Sequence, residues 1–210
     1  MTNVLLIHGA GASSHCWRNF ALPDEFPIHT IDLHSPWTWE SMLDQIEDLG
    51  LDNPAVVGQS LGGAVAVRWA KRHPECPAVV NFDGNGIPDT FPGLGQSEVD
   101  SWQARLKEVF DQMAQAMDPD LRPIQDLVAK GSVRDLYDDL TVPALAVVST
   151  RLMEPQKPFA EYYTAFQKGV LADLAGREDV VEFDGSHNML AEKPAHLAAL
   201  VTDFLRAKLG

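Results

Sequence analysis

Basic residues and long apolar runs are both scarce in this chain of 210 residues. It has 16 Lys and Arg against 30 Asp and Glu, which gives a formal net charge of −14. Binding to nucleic acid or to an anionic membrane depends on clustered Lys and Arg, so this balance argues against both partners. No apolar run approaches the about 20 residues that a membrane span requires, so we expect no membrane span.

Cysteine and targeting signals are also scarce. The two cysteines, Cys16 and Cys76, are too few for a disulfide framework or a cysteine-rich zinc site, and we expect both to be free. The N-terminal segment MTNVLLIHGAG lacks the basic segment and cleavage pattern of a signal peptide. We therefore expect a cytoplasmic protein of one domain that uses no metal and no cofactor and acts on a small molecule. Its oligomeric state is left open.

Short apolar segments alternate with helical patterns along most of the chain. Strands of this kind, without polar alternation and separated by helices, are typical of parallel βαβ units whose sheet is covered on both faces. The sequence therefore predicts an α/β fold with a mostly parallel, doubly wound sheet. The predicted strands lie at 4–8, 27–33, 55–58, 78–82, 142–148 and 180–183, and the main helices at 39–49, 61–72, 158–174 and 194–209.

The alternation stops between residues 84 and 141, a stretch much longer than an ordinary connection. A long amphipathic helix is predicted at 98–117, followed by shorter helical stretches near 120–130 and 132–140. We expect this stretch, 84–141, to be a small helical cap inserted into a core formed by residues 1–83 and 142–210. Trp102, Leu106 and Phe110 share one face of the long helix and are candidate substrate contacts, unless that face packs against the core.

The segment AVVGQSLGG, residues 55–63, carries the clearest chemical signal. Its Gly-x-Ser-x-Gly pattern follows an apolar strand and opens a helix, as in a nucleophile elbow. Small neighbours are needed there because the central residue adopts a strained backbone conformation. The N–H groups at the start of the following helix favour negative charge at the same place. Ser60 is therefore the candidate nucleophile.

A serine nucleophile also needs a base and an oxyanion hole. Among seven histidines, His187 in FDGSHNML is the best candidate base, because it lies in a loop after the last predicted strand. His8 ends the first strand and is expected to brace the turn. The backbone N–H groups of Ala10, in the loop after the first strand, and of Leu61, after the serine, are the candidate oxyanion donors.

These motifs together resemble those of the α/β-hydrolase superfamily over almost the whole chain. His8-Gly9 resembles its oxyanion loop, GQSLGG at 58–63 its nucleophile elbow, and His187 its catalytic histidine. The insertion falls where members carry a cap domain. The antiparallel strands that usually precede the oxyanion-loop strand are expected to be missing, as in compact members such as plant methylesterases and hydroxynitrile lyases.

The resemblance implies a triad, and the acid of that triad is the open point. The family most often places it after the strand predicted at 142–148, where this sequence has Leu152. Asp83, at the end of the fourth strand, is the favoured acid because some members place theirs there, and Glu154 is the second choice. The alternatives are another carboxylate, a dyad without an acid, or Asp83 as an ordinary turn residue.

The resemblance further implies an acyl-enzyme on Ser60, and hence an esterase-like serine hydrolase that cleaves a small ester. Thioesters, lactones and activated C–C bonds share this machinery. Related dehalogenases and epoxide hydrolases use an Asp in the place of Ser60, so dehalogenation is set aside. Two alternatives stay open. One is a hydroxynitrile-lyase-like or other non-hydrolytic reaction, for which the sequence identifies no cation to hold cyanide. The other is a non-catalytic ligand-binding protein, favoured if no carboxylate reaches His187.

Overall fold

The computed structural model describes residues 1–116, 119–176 and 179–210, with side chains described for all of these except residues 113–116. The described residues form one sheet of six strands in the order β2-β1-β3-β4-β5-β6, and every neighbouring pair is parallel. The predicted α/β fold with a mostly parallel sheet is confirmed. The strands are β1 (Val4–Ile7), β2 (Ile28–Ile31), β3 (Ala55–Gln59), β4 (Val79–Phe82), β5 (Ala144–Ser149) and β6 (Asp179–Phe183).

Helices cover both faces of the sheet, because successive side chains of each strand point to opposite faces and both sets are apolar. Leu5 and Ile7 of β1 join a buried cluster with the helices of one face, and Val4 and Leu6 join a second cluster on the other face. The helices are α1 (Trp39–Glu47), α2 (Leu61–Arg72), α3 (Gln96–Ala116), α4 (Arg122–Ala129), α5 (Val133–Tyr137), α6 (Ala160–Leu174), α7 (Met189–Glu192) and α8 (Pro194–Leu209). Within the described ranges, no helix is both long enough and apolar enough to cross a membrane.

The segment between β4 and β5 contains α3, α4 and α5, in agreement with the helical patterns of the sequence. The predicted last residue of the long helix, Met117, lies outside the described residues. Leu106 of α3 packs in a small cluster with Phe159, whereas Leu136 of α5 packs in the main core beside α2. The assignment of residues 84–141 to a separate cap stays a prediction.

The strand order changes direction between β1 and β3, which lie side by side while β2 lies beyond β1. Val4 pairs with Ala55 and Ile7 pairs with Gly58, so both strands end at the same edge of the sheet. In open parallel sheets, ligands bind at the carboxyl ends of strands where the order reverses in this way. The loops that follow β1 and β3 meet at this point.

Candidate active site

Ser60 occupies the turn between β3 and α2 with φ 55° and ψ −122°, a conformation that a non-glycine residue rarely adopts. The turn is tight because Gly58 and Gly62, two positions before and after Ser60, have no side chains. A Cβ atom on Gly58 would overlap the carbonyl group of Gly62, and one on Gly62 would overlap the carbonyl oxygen of Ile7. The packing thus explains why the sequence has glycine on both sides of Ser60.

A chain of hydrogen bonds links Ser60, His187 and Asp83. The Ser60 hydroxyl donates to Nε2 of His187 at 3.0 Å, and the Nδ1–H group of His187 donates to Oδ2 of Asp83 at 2.7 Å. This direction follows because an ionised carboxylate only accepts, which assigns the proton of the neutral imidazole to Nδ1. The side chain of His187 is 30% exposed and that of Asp83 is 15% exposed. The three predicted residues therefore lie in contact, with the imidazole open to an incoming molecule.

The pKa of His187 lies above its ordinary value of 6.5. Burial alone would lower this pKa, since it disfavours the charged imidazolium. The hydrogen bond to Asp83 and the negative charge of Asp83 act in the opposite direction and outweigh burial. The site thus favours the protonated form of His187, which a base must adopt after it accepts a proton.

The end of β5 holds both the carboxylate and the backbone of Asp83. Ser149, the last residue of β5, donates from its hydroxyl to Oδ2 at 2.7 Å and from its N–H group to Oδ1 at 3.2 Å. The backbone N–H group of Asp83 donates to the carbonyl oxygen of Val147 at 2.8 Å. Asp83 itself has φ 54°, and Asn81 stabilises this turn by accepting a hydrogen bond from the Gly84 N–H group at 2.8 Å.

Glu154, the second-choice acid, lies elsewhere. Its side chain is 83% exposed and forms an ion pair with Lys157. The structure therefore brings Asp83, and not Glu154, to His187. The family most often has its acid at the position of Leu152, shortly after β5. In this structure the end of β5 provides Ser149 instead, whose hydroxyl donates to the carboxylate of Asp83.

The loop that carries His187 is fixed by hydrogen bonds on both sides. Gln59 donates from Nε2 to the His187 carbonyl oxygen at 3.2 Å. The carboxylate of Glu192 accepts hydrogen bonds from the hydroxyl and the N–H group of Ser186. The Ser186 hydroxyl in turn accepts from the N–H group of Asn188 at 3.2 Å. These contacts hold the backbone of the loop on both sides of His187.

The loop after β1 passes close to Ser60. A Cβ atom on Gly9 would lie 3.1 Å from Cβ of Ser60 and 2.7 Å from Oε1 of Gln59, so a side chain there would force these neighbours to shift. The next residue, Ala10, is exposed. Leu61 is the first residue of α2, and N–H groups at this position have no partner within the helix. The two predicted oxyanion donors thus lie on the two segments that flank Ser60, and their role stays a prediction.

His8 braces this loop, as the sequence predicts. The side chain is 2% exposed, its Nδ1 group donates to the Gly9 carbonyl oxygen at 2.7 Å, and its Nε2 atom accepts from the Leu33 N–H group at 3.0 Å. Both ring nitrogens are therefore engaged in structural hydrogen bonds.

A cavity of about 470 Å³ opens above Ser60 and His187. Most of its wall is apolar and includes Leu106, Val109 and Phe110 of α3 and Leu127 and Val128 of α4. Trp102 is not among the described lining residues, and its contact with the substrate stays a prediction. Its ring packs edge-on against Phe159 and beneath the Arg105 guanidinium, which lies 4.4 Å from the ring centroid.

Sequence patterns alone do not reveal the roles of Ser149 and Gln59. The sequence gives one indication of a role for Ser149, which is its position: it ends the strand after which the family most often has its acid. Gln59 lies inside the elbow motif, but nothing in the motif specifies its contact with the His187 loop. Within the described part of the chain, no cluster of three His, Cys, Asp or Glu side chains could hold a metal ion, and both cysteines are free.

Comparison with curated proteins finds relatives that are named as a lipase and as a methyl ester esterase. The chain is 26% identical to the lipase LipV of Mycobacterium tuberculosis over an alignment of 252 positions, gaps included, which covers 99% of this chain and 93% of LipV. It is 36% identical over 83 residues to the pimeloyl-[acyl-carrier protein] methyl ester esterase of Neisseria meningitidis serogroup C. That shorter alignment covers 34% of this chain and 32% of the esterase.

Among solved structures, the carboxylesterase CesB (YbfK) of Bacillus subtilis superposes with a TM-score of 0.62 at 19% identity. The superposition covers 97% of this chain and 83% of CesB, and shows that the two share a fold. The profile of the alpha/beta hydrolase family matches residues 4–200 of this chain. With the parallel sheet and the serine elbow described above, this match shows that the chain belongs to the alpha/beta hydrolase family.

Proposed function

We propose that the protein is an esterase that hydrolyses a small carboxylic ester through an acyl-enzyme on Ser60. The observation that carries this proposal is the hydrogen-bond chain from Asp83 through His187 to Ser60, which ends at the cavity. In triads of this kind the histidine acts first as base and then as acid, while the carboxylate holds its tautomer. The names of the relatives, a lipase, a methyl ester esterase and a carboxylesterase, also support ester cleavage.

In the first half-reaction, Nε2 of His187 takes the hydroxyl proton of Ser60 while Oγ attacks the ester carbonyl carbon. The backbone N–H groups of Ala10 and Leu61 stabilise the resulting oxyanion. When this intermediate collapses, the C–O bond to the alcohol breaks and His187 gives its proton to the departing oxygen. The charge of Asp83 stabilises the imidazolium between the two proton transfers.

In the second half-reaction, water releases the acyl group by the same steps. His187 takes a proton from a water molecule as the water oxygen attacks the acyl carbonyl carbon. The proton then passes to Oγ of Ser60 as the acyl C–O bond breaks. One ester and one water give one carboxylic acid and one alcohol, and the enzyme returns to its starting state.

Residues 84–141 act in this proposal as a cap that selects the substrate. Leu106 and Phe110 of α3 contribute apolar side chains to the cavity wall, which favours a hydrocarbon group on the substrate. An ester is preferred over a thioester, a lactone or an activated C–C bond because ester cleavage demands least of the site.

The two alternative functions receive less support. A lyase that releases cyanide needs a cation beside the reacting carbon. Among the described cavity residues, Arg68 is the single Lys or Arg, and it lies eight residues after Ser60 on α2. A non-catalytic protein is favoured only if no carboxylate reaches His187, and Oδ2 of Asp83 lies 2.7 Å from its Nδ1 atom.

A fluorophosphonate probe tests the proposal, since it labels an activated serine. We expect stoichiometric labelling of the native protein, no labelling of Ser60→Ala, and unchanged labelling of Ser101→Ala, which removes an exposed serine of α3. Hydrolysis of p-nitrophenyl butyrate should follow the same pattern. A native protein that neither reacts with the probe nor cleaves this ester would refute the proposed function.

A further inference from the structure

One wall of the cavity holds a cation that ester hydrolysis at Ser60 does not use. Arg68 of α2 and Trp39 of α1 both line the cavity, and both are half-buried. The guanidinium carbon of Arg68 lies 3.7 Å from the centroid of the Trp39 ring. Its Nη1 group donates to the carbonyl oxygen of Ala64 at 3.2 Å. Stacking and this hydrogen bond hold the guanidinium in place at the wall.

Arg68 forms no ion pair with a carboxylate within residues 1–116, 119–176 and 179–210. Arg72, one turn later on the same helix, lies 3.4 Å from Glu40 and 3.3 Å from Asp44. The chain has 30 acidic residues, yet none of those described is placed on the guanidinium of Arg68. A guanidinium has five N–H donors, and one of them is bound to Ala64.

This environment favours an anionic ligand at Arg68. Burial lowers the pKa of the guanidinium, and the charge of Asp135 opposes that shift. A half-buried cation without a bonded counter-charge loses hydration that it does not recover from the protein. A carboxylate can replace the lost hydrogen bonds to water with two parallel N–H···O bonds, because the guanidinium presents its N–H groups in that geometry.

Arg68 and Ser60 belong to one rigid element. They are eight residues apart on α2, which corresponds to about 12 Å along the helix axis at ~1.5 Å per residue. Ala64, which also lines the cavity, lies between them on the helix. Because the guanidinium turns back towards Ala64, its distance from Ser60 is set by the helix and not by a mobile loop.

We propose that one arm of the substrate ends in a carboxylate that binds Arg68 while the ester carbonyl lies at Ser60. The substrate class is then an ester with an apolar middle and an anionic end, such as a half-ester of a dicarboxylic acid. This inference rests on the proposed function, because that function places the ester at Ser60. Arg68 acts here as a specificity-determining residue and takes no part in bond cleavage.

The test compares esters of equal length with and without a terminal carboxylate. For the acyl arm, p-nitrophenyl half-esters of succinate, adipate, suberate and sebacate are compared with p-nitrophenyl esters of the matching fatty acids. For the alcohol arm, butyrate esters of ω-hydroxy acids are compared with butyrate alkyl esters. We expect the anionic member to have the higher kcat/KM in one of the two series, with an optimum at one chain length.

Three variants test whether Arg68 causes the preference for anionic esters. In Arg68→Gln, the ratio of kcat/KM for the anionic and neutral esters should fall about tenfold or more, through KM, as expected for a lost hydrogen bond between charged groups. Arg68→Lys keeps the charge without the planar fork and should retain part of the preference. Arg72→Gln, the matched control on the same helix, should keep both the ratio and the activity. Circular dichroism verifies folding of each variant.

Two outcomes would overturn the inference: no anionic preference in either series, or a preference that Arg68→Gln leaves intact. Calorimetric titration with suberate separates this failure from a failure of the proposed function. Suberate should bind the native protein, and its affinity should fall about tenfold in Arg68→Gln. This binding is measurable even if p-nitrophenyl butyrate is not hydrolysed, and native protein that does not bind suberate would count against the anion site.

Discussion

Ser149 holds the carboxylate of Asp83 with two hydrogen bonds, one from its hydroxyl to Oδ2 at 2.7 Å and one from its N–H group to Oδ1 at 3.2 Å. The same Oδ2 atom accepts from His187 at 2.7 Å. Ser149 ends β5 next to β4, whose last residue precedes Asp83. Because Ser149 binds both carboxylate oxygens, it prevents the carboxylate from rotating away from the imidazole. Ser149 is therefore a positioning residue for the base.

Removing this hydroxyl should slow catalysis without removing any reacting group. In Ser149→Ala we expect kcat to fall roughly ten- to a hundredfold, with a small change in KM, as for a lost hydrogen bond to a charged group. Ser149→Thr keeps the hydroxyl and should restore most of the activity. Thr150→Val is the matched control, since the Thr150 hydroxyl donates to the Phe183 carbonyl oxygen at 3.0 Å and not to Asp83. Equal losses in Ser149→Ala and Thr150→Val would indicate a general effect on folding.

Kinetics of two variants distinguish Asp83 from Glu154 as the acid of the triad. Asp83→Asn should lower kcat by about 10⁴, because an amide no longer fixes the imidazole tautomer or stabilises the imidazolium. Glu154→Gln should leave kcat within about twofold, since an exposed ion pair with Lys157 contributes little. Steady-state kinetics with p-nitrophenyl butyrate measures both, and melting temperatures establish that both variants fold. A large loss in Glu154→Gln alone would reverse the assignment of the acid.

The sheet could be predicted because the central strands β1, β3 and β5 are mostly apolar segments, as expected for strands buried on both faces. The elbow could be predicted for a different reason. Its Gly-x-Ser-x-Gly pattern is contiguous in the sequence, although the contact that requires glycine at position 62 is with Ile7 of β1. His187 followed from its place after the last strand, since the carboxyl ends of parallel strands share one edge.

The remaining parts of the site depend on register between distant segments. The pairing of Phe82 with Val147 sets which residue of β5 faces Asp83, and no local pattern specifies that register. The direction of Trp102 depends likewise on the contact between α3 and Phe159, which are far apart in the chain. The position of Arg68 in the cavity wall could not be predicted, because a Lys or Arg on a helix normally lies on a solvated face.

The raised pKa of His187 predicts how activity depends on pH. The imidazole must be neutral to accept a proton from Ser60, so kcat/KM should fall as the pH drops below that pKa. The midpoint of this acid limb should lie above 6.5, the ordinary value, because Asp83 stabilises the imidazolium. In Asp83→Asn only burial acts on the imidazole, and its pKa should move below that of the native protein. NMR titration of the imidazole C–H signal measures both proteins, and an unchanged pKa in the variant would contradict this account.

The cysteines should play no part in the reaction. Burial raises the pKa of Cys16 to about 11 and that of Cys76 to about 12, so little thiolate exists at neutral pH. Iodoacetamide at pH 7 should therefore leave ester hydrolysis intact under conditions in which a fluorophosphonate abolishes it. Mass spectrometry reports which residues are modified. Loss of activity that follows alkylation of Cys16 would show that this thiol affects the site.

The close packing of α2 against β1 predicts a severe effect of one methyl group. In Gly62→Ala, the added Cβ would overlap the carbonyl oxygen of Ile7, which belongs to the central sheet and has little room to move. We expect the free energy of unfolding to fall by roughly 1–3 kcal/mol or more, as for overpacked cores. Gly95→Ala is the control, because its nearest neighbour is the flexible carboxylate of Glu98 at 3.4 Å. Urea unfolding compares the two variants, and a Gly62→Ala protein as stable as Gly95→Ala would show that the elbow tolerates a side chain there.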